Sequence, residues 1–349
     1  SRAIPAAMLI MAGGVVHADL TDLVPVETLK QIAEETSGEA AKRNLDTITL
    51  QHRMRASDQF DDATSHILRM LEAYELDEVT TLAYAADGET MFGTQKSRPK
   101  WQVRSAELWE LSKTDGEVVR SRRLGDWSSV PLSLAQDSQS GEATTTLVDI
   151  GSGREDSDYA GKDIRGKLVL TSSQPESVAE RAVGDLGAAG IVSYAPNQRS
   201  AWWLEDDRLV RWGHLDSFPE TKTFGFMISL GEARKLQQRM AAGEEILLHA
   251  KVDAGHEVGK DRFATAAILG TDKAAEEIHF TCHLDHPRPG ANDNASGCVS
   301  ILEVARSLNA LVRNEILPRP SRTIRVLWPA EIEGSIIYLS QHDDVSRIK

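Results

Sequence analysis

From residue 23 to about residue 73, apolar positions recur at helical spacing. Leu29, Ile32 and Ala33 share one face, and Leu45, Ile48, Met54, Ile67, Leu68 and Leu71 continue the period. Ser37 stands where an N-cap belongs, with Glu39 in the turn that follows. Residues 79–85 predict a strand, turned by Asp87-Gly88. Residues 101–111 predict another, with Trp101, Val103 and Leu108 directed inward. The Ser-rich tract 126–140 reads as a boundary. Beyond Thr146, short β-rich runs alternate with Gly turns and one short helix at 177–186. Strands are predicted at 247–252, 263–269, 278–283 and 323–328, with helices at 300–312 and from Gly334 to about Ile348. This alternation predicts an α/β fold, which places its chemistry at the carboxyl ends of strands.

Composition narrows the partners more than the fold. The chain has 349 residues, enough for two domains, and a net charge of -14 that argues against a nucleic-acid partner. Residues 1–18 combine Arg2, an apolar run and Val16-His17-Ala18, the pattern of a signal peptide clipped at its front. That run is too short for a stable membrane span, so the expected location is secreted or periplasmic. Cys282 and Cys298 are too few for a disulfide scaffold. They read as two small buried residues packing a strand against a helix, with a bridge between them as the alternative.

The densest chemistry lies in His283-Leu284-Asp285-His286-Pro287-Arg288-Pro289-Gly290-Ala291-Asn292-Asp293-Asn294-Ala295-Ser296-Gly297. A second acidic cluster, Glu331-Ile332-Glu333-Gly334-Ser335, ends the next apolar run. A hydrolytic zinc site needs imidazole and carboxylate ligands at about 2.0–2.2 Å, an open position and a base beside it. His283 and Asp285 are two residues apart and face one side of a strand. Asp293 sits at the tip of a Pro/Gly loop, just before a helix start, and Glu331 follows the neighbouring strand. His286 reads as a local hydrogen-bonding residue or a functional one, and Arg288 as a possible substrate contact. His249 and His256 read as surface residues.

Two resemblances sharpen this. Residues 130–250, with Val148-Asp149-Ile150-Gly151, Tyr159-Ala160-Gly161-Lys162-Asp163 and Gly187-Ala188-Ala189-Gly190-Ile191, resemble a protease-associated domain. Such a module implies a β-rich insert that shapes substrate access, and the loop holding Trp202, Trp203, Asp206, Asp207, Arg211 and Trp212 is a candidate cleft wall. His283-Leu284-Asp285, Gly290 to Gly297 and Glu331 to Ser335 are similar to the motifs of the co-catalytic zinc aminopeptidases of metallopeptidase family twenty-eight. The resemblance implies a zinc-exopeptidase-like α/β/α core with a mixed sheet, two Zn2+ per site and a peptide substrate. It implies that His283 ligates zinc, that Asp293 bridges two ions, that Asp285 orients His283 and that Glu331 is the general base. It also implies a cis peptide at Asp293–Asn294.

The match departs from the family at two places. The adjacent Glu ligand falls on Ile332, so that either Glu333 replaces it or a shorter turn leaves Glu331 as the ligand. The family's later Asp and final His ligands have no counterparts here. His342, Asp343 and Asp344 read as mid-helix residues facing solvent, and the chain reads as a fragment with an incomplete site. The resulting layout is a signal remnant at 1–18, an N-terminal peptidase part at 19–129, the insert at 130–250 and the peptidase core at 251–349. The rival readings are a non-catalytic binding protein on the same scaffold and acyl transfer of the glutaminyl cyclase type.

Overall fold

The computed structural model describes residues 24–114, 117–195 and 205–349. The expected signal remnant at 1–18, and Trp202 and Trp203 of the candidate cleft loop, lie outside these. Helices α1 (Val26–Glu35), α2 (Gly38–Ile48) and α3 (Asp58–Ala73) come first. Ser37 caps α2 by accepting the Ala40 amide, and Ser57 caps α3 by accepting that of Phe60, each satisfying a donor the helix itself cannot. Helix α3 buries Phe60, Ala63, Thr64, Ile67 and Leu71, the single apolar stripe of a helix laid on a sheet.

Thirteen strands follow among the described residues: β1 (Asp77–Ala86), a small hairpin of β2 (Met91–Phe92) and β3 (Gln95–Lys96), β4 (Lys100–Thr114), β5 (Glu117–Asp126), β6 (Gly141–Asp149), β7 (Leu168–Thr171), β8 (Gly190–Ser193), β9 (Gly225–Met227), β10 (Leu247–Glu257), β11 (Gly259–Ile268), β12 (Lys273–Thr281) and β13 (Arg322–Trp328). Helix α4 (Leu230–Ala241) precedes β10, α5 (Ser296–Arg313) joins β12 to β13, and α6 (Glu333–Gln341) follows β13.

Apart from the β2–β3 hairpin, the strands form two mixed sheets. One has four strands in the order β1-β11-β13-β12, and the other has seven in the order β5-β4-β10-β6-β7-β8-β9. In the first, β12 and β13 run parallel while β11 is antiparallel to both β1 and β13. The crossover between parallel strands is α5, as a parallel pair requires. Ala86 of β1 faces Gly259 of β11, so the chain leaves the first sheet and re-enters it at one level. What lies between is the insert.

The seven-stranded sheet begins at β4, ahead of residue 130. Strand β4 pairs along its length with β10, and β5 pairs with β4. The tract 126–140 read as a boundary because its Ser residues suit loops, but here Ser133 and Ser138 are buried and bonded. Ser133 Oγ accepts the Asp126 amide, Ser138 Oγ accepts that of Gly225, and the Ser138 carbonyl accepts Trp101 Nε1.

Each sheet has its own core. Ile48, Phe60, Ile67, Phe263, Leu302, Val326 and Trp328 pack under the first. Trp101, Leu108, Leu170, Phe226, Leu236 and Leu248 pack within the second. Helix α5 has the length and hydropathy of a membrane span, but it buries Leu302 and Ala305 in the first core. At its start Cys298 is disulfide-bonded to Cys282, with Cα atoms 5.3 Å apart. The bridge left open by the sequence is thus the arrangement found, and it encloses residues 283–297. The final helix ends at Gln341, before His342, and a short 3-10 turn at Val345–Arg347 follows.

Candidate metal centre

Both polar clusters leave the carboxyl ends of adjacent parallel strands. His283 follows β12 and Glu331 follows β13. Leu284 donates its amide to the Pro329 carbonyl at 2.9 Å, so the two strand exits stay paired. They open on a cavity of about 460 Å³ whose wall includes Asp285, His286, Asp293 and Glu331. The insert forms the facing wall with Asp137, Trp212, His214 and Phe218.

Two imidazoles converge on Asp293. His283 Nε2 lies 3.0 Å from Asp293 Oδ1, and His286 Nε2 lies 3.4 Å from Oδ2. The other ring nitrogens face carbonyls: His283 Nδ1 is 3.0 Å from that of Asp285, and His286 Nδ1 is 2.9 Å from that of Pro287. A neutral ring that donates through Nδ1 presents a bare lone pair at Nε2. Two lone pairs facing a carboxylate are acceptors facing acceptors, an arrangement that a cation resolves. The donor set therefore fits a zinc ion. Without one a proton serves the same end, and His283 is raised to about 9, first by the Asp285 side chain, 3.6 Å away, and then by its carbonyl. The Asp293–Asn294 peptide is cis, as the motif implied.

Asp285 is a buried hub. Its Oδ1 accepts the Glu331 amide at 2.6 Å, and its Oδ2 lies 3.7 Å from Arg55 Nη2. Glu331 reaches the cavity. Glu333 does not line it, because Ile332 takes φ 54° and ψ -65° and the Glu333 amide returns to the Glu331 carbonyl. This tight γ-turn is costly for a β-branched residue. The Glu333 carboxylate is buried, 2.6 Å from Arg55 Nη1, and it accepts the Arg98 amide at 3.0 Å. The expectation that Glu333 ligates metal thus meets a carboxylate already held by two arginines.

Other expectations shift as well. Arg288 donates to the Ser129 carbonyl of the insert and does not line the cavity. His256 is half-buried and lies 2.8 Å from Asp137, which also accepts from Ser217. His249 lies between Thr144 and Glu142 on the sheet, while Trp212 stacks on His214 at the cavity wall. His342 joins Glu277 and His279 in a second cluster of ligand-type atoms, all within 4.8 Å of one another. There Glu277 is taken by Arg325 at 2.9 Å and by His279 at 2.7 Å, with Arg347 at 3.7 Å. Asp343 and Asp344 stay exposed.

Sequence reasoning gave no role to Arg55 or Asp261. Asp261 on β11 is buried, its Oδ1 has no partner, and its carboxyl is raised to about 8 by burial and then by the nearby Asp285 charge. No motif marks either residue, because both act from strands and turns far away in the chain.

Residues 265–348 match the profile described as Peptidase family M28. Carboxypeptidase Q of Rattus norvegicus is 29% identical over 185 residues, which is 50% of this chain and 38% of that protein. The chain thus spans well under half of that curated relative. Among solved structures, a Peptidase M28 precursor from Shewanella amazonensis aligns with a TM-score of 0.62 at 17% identity, covering 91% of this chain and 70% of that one. An aminopeptidase from Aneurinibacillus sp. strain AM-1 aligns at 0.52 and 20% identity with the same coverage. BSAP, a zinc aminopeptidase from Bacillus subtilis, aligns at 0.57 and 19%, covering 87% and 66%. These likenesses establish the fold.

Proposed function

From the match of residues 265–348 to the Peptidase family M28 profile, we propose that the chain is a member of that family and a zinc-dependent exopeptidase acting on the N-terminal bonds of peptides. The observation that carries this reading is the convergence of His283, His286 and Asp293 at a cavity that Glu331 also lines. His283, His286 and Asp293 would hold zinc. When bound, zinc supplies Lewis-acid polarisation of the scissile carbonyl and of the attacking water.

The protein's own groups do the rest. Glu331 accepts the water's proton and returns it to the leaving amine, as a positioned carboxylate can. Asp285 fixes Glu331 by accepting its amide and holds His283 with Nε2 toward the cavity. Trp212, His214 and Phe218 close the cavity from the insert, which we read as a protease-associated module that limits peptide access. A secreted or periplasmic location suits the Cys282–Cys298 disulfide.

The test is metal content together with hydrolysis of aminoacyl-nitroanilides by the full-length protein. Zinc bound in stoichiometric amount with turnover is the expected result. Bound zinc without turnover would favour a binding role on this scaffold. Cyclisation of an N-terminal glutamine would favour acyl transfer. Metal-free, inert protein would sink the reading.

A further inference from the structure

Behind the ligand loop lies a charge with no place in the mechanism above. Arg53 is fully buried. Its guanidinium donates to five backbone carbonyls. Nε reaches Leu284 at 2.8 Å, Nη1 reaches Ile48, Gln51 and Pro289 at 2.9, 3.2 and 3.3 Å, and Nη2 reaches Gly290 at 3.2 Å. Ile48 is the last residue of α2, where the helix dipole leaves partial negative charge. Leu284, Pro289 and Gly290 lie on either side of His286 in the ligand loop.

The backbone strengthens this contact. The Arg53 amide donates to the His286 carbonyl at 3.0 Å, and the His286 amide returns to that of Arg53 at 2.9 Å. His52 Nδ1 accepts the Arg288 amide at 3.1 Å. Burial first, then the neighbouring arginines, drive the His52 imidazole down to about 3, so it stays a neutral acceptor. Gly290 has φ +50°, and a Cβ there would lie 2.7 Å from His286 Nδ1 and 2.8 Å from Arg53 Nη2. The guanidinium and the His286 side chain together occupy the space a side chain would need.

We propose that Arg53 is a positioning residue of the metal centre, a clamp that holds both ends of the loop 284–290 so that His283, His286 and Asp293 stay in register. This deepens the zinc reading and rests on it. A buried cation is tolerated only when its donors are satisfied. The planar fork of arginine can satisfy carbonyls lying in several directions, which an ammonium on a single stem cannot. Outer partners of metal ligands typically change metal affinity about 10–100-fold when lost.

The test compares Arg53→Lys with Arg306→Met. Arg306 pairs with Glu35 and Glu303 and does not line the cavity. Two quantities are measured: amide hydrogen exchange across 284–295, and zinc affinity by competition with a chromophoric chelator. Arg53→Lys is expected to speed exchange in that segment and to weaken zinc by about 10–100-fold. Arg306→Met should lower the melting temperature and leave both unchanged. Unchanged exchange and affinity in Arg53→Lys overturn the proposal, and so does an equal effect from Arg306→Met. If the wild-type protein binds no zinc, the zinc reading fails, and the exchange arm still decides the role of Arg53. Should Arg53→Lys not fold, Gly290→Ala, whose Cβ crowds both the guanidinium and the His286 side chain, is expected to speed exchange across 284–295; unchanged exchange in that variant overturns the clamp.

Discussion

His283 Nε2 and Asp293 Oδ1 stand 3.0 Å apart, while His283 Nδ1 faces the Asp285 carbonyl. Asp293 is largely exposed, so its carboxylate contributes to the site more than to the core. Asp293→Asn is therefore expected to cut bound zinc to less than about a tenth, in keeping with the sensitivity of metal sites to their ligands. The melting temperature of the metal-free protein should change little. Wild-type zinc content in this variant, read by elemental analysis, would refute the assignment.

Glu331 and Glu333 are separated by one residue and differ in surroundings. Glu331→Gln is expected to keep zinc and the melting temperature and to lower turnover about 10²–10⁴-fold, the range of a lost general base. Glu333→Gln should do the reverse in stability. It leaves Arg55 without its 2.6 Å partner, and breaking a buried pair costs about 3 kcal/mol. Denaturant unfolding and steady-state rates on both variants separate the roles. If Glu331→Gln unfolds early and Glu333→Gln does not, the roles are exchanged.

Asp261 makes stability depend on pH. Its folded carboxyl is raised to about 8, foremost by burial. Between the unfolded value of 3.8 and about 8, the folded protein holds a proton that the unfolded chain has lost. This contribution is present below 3.8 and is lost as pH rises toward 8. Asp261→Asn mimics the protonated form, so its stability advantage over wild type should grow from pH 5 to pH 8, by at most about 1.4 kcal/mol per unit. A difference that is flat or shrinks with rising pH would show that Asp261 is ionised in the folded protein.

The Cys282–Cys298 bridge closes a loop of sixteen residues' separation around the ligand stretch. In the chain-entropy account, a loop of that size contributes about 3 kcal/mol. Replacing both cysteines by Ala should lower unfolding free energy by about that amount and raise protease cutting between 283 and 297. Equal stability with and without the bridge would mean that Arg53 and the strand pairing hold the loop alone.

Much of the fold was legible because its signals are local. Ser37 marks the start of α2, and the apolar tract at 323–328 marks β13, which runs Arg322–Trp328. The ligand loop was legible because turn-formers and ligands crowd one short stretch. What stayed hidden depends on distant pairing. That β4 belongs to the second sheet follows from its partner β10, far away in the chain (Leu111 faces Leu247 and Lys100 faces Glu257), for which no short-range pattern exists. The fate of Glu333 was set by Arg55 and Arg98 and by the backbone turn at Ile332. The helix past Gly334 was drawn too long, and it stops before His342, which packs near His279.

The clamp also has a timetable. Leu284 follows Arg53 by 231 residues, and a ribosome adds about 5–20 residues per second. Arg53 thus emerges roughly 10–50 s before the loop it holds, with only the Ile48 and Gln51 carbonyls at hand. During synthesis the ligand stretch thus reaches Arg53 well after the first helices have left the ribosome.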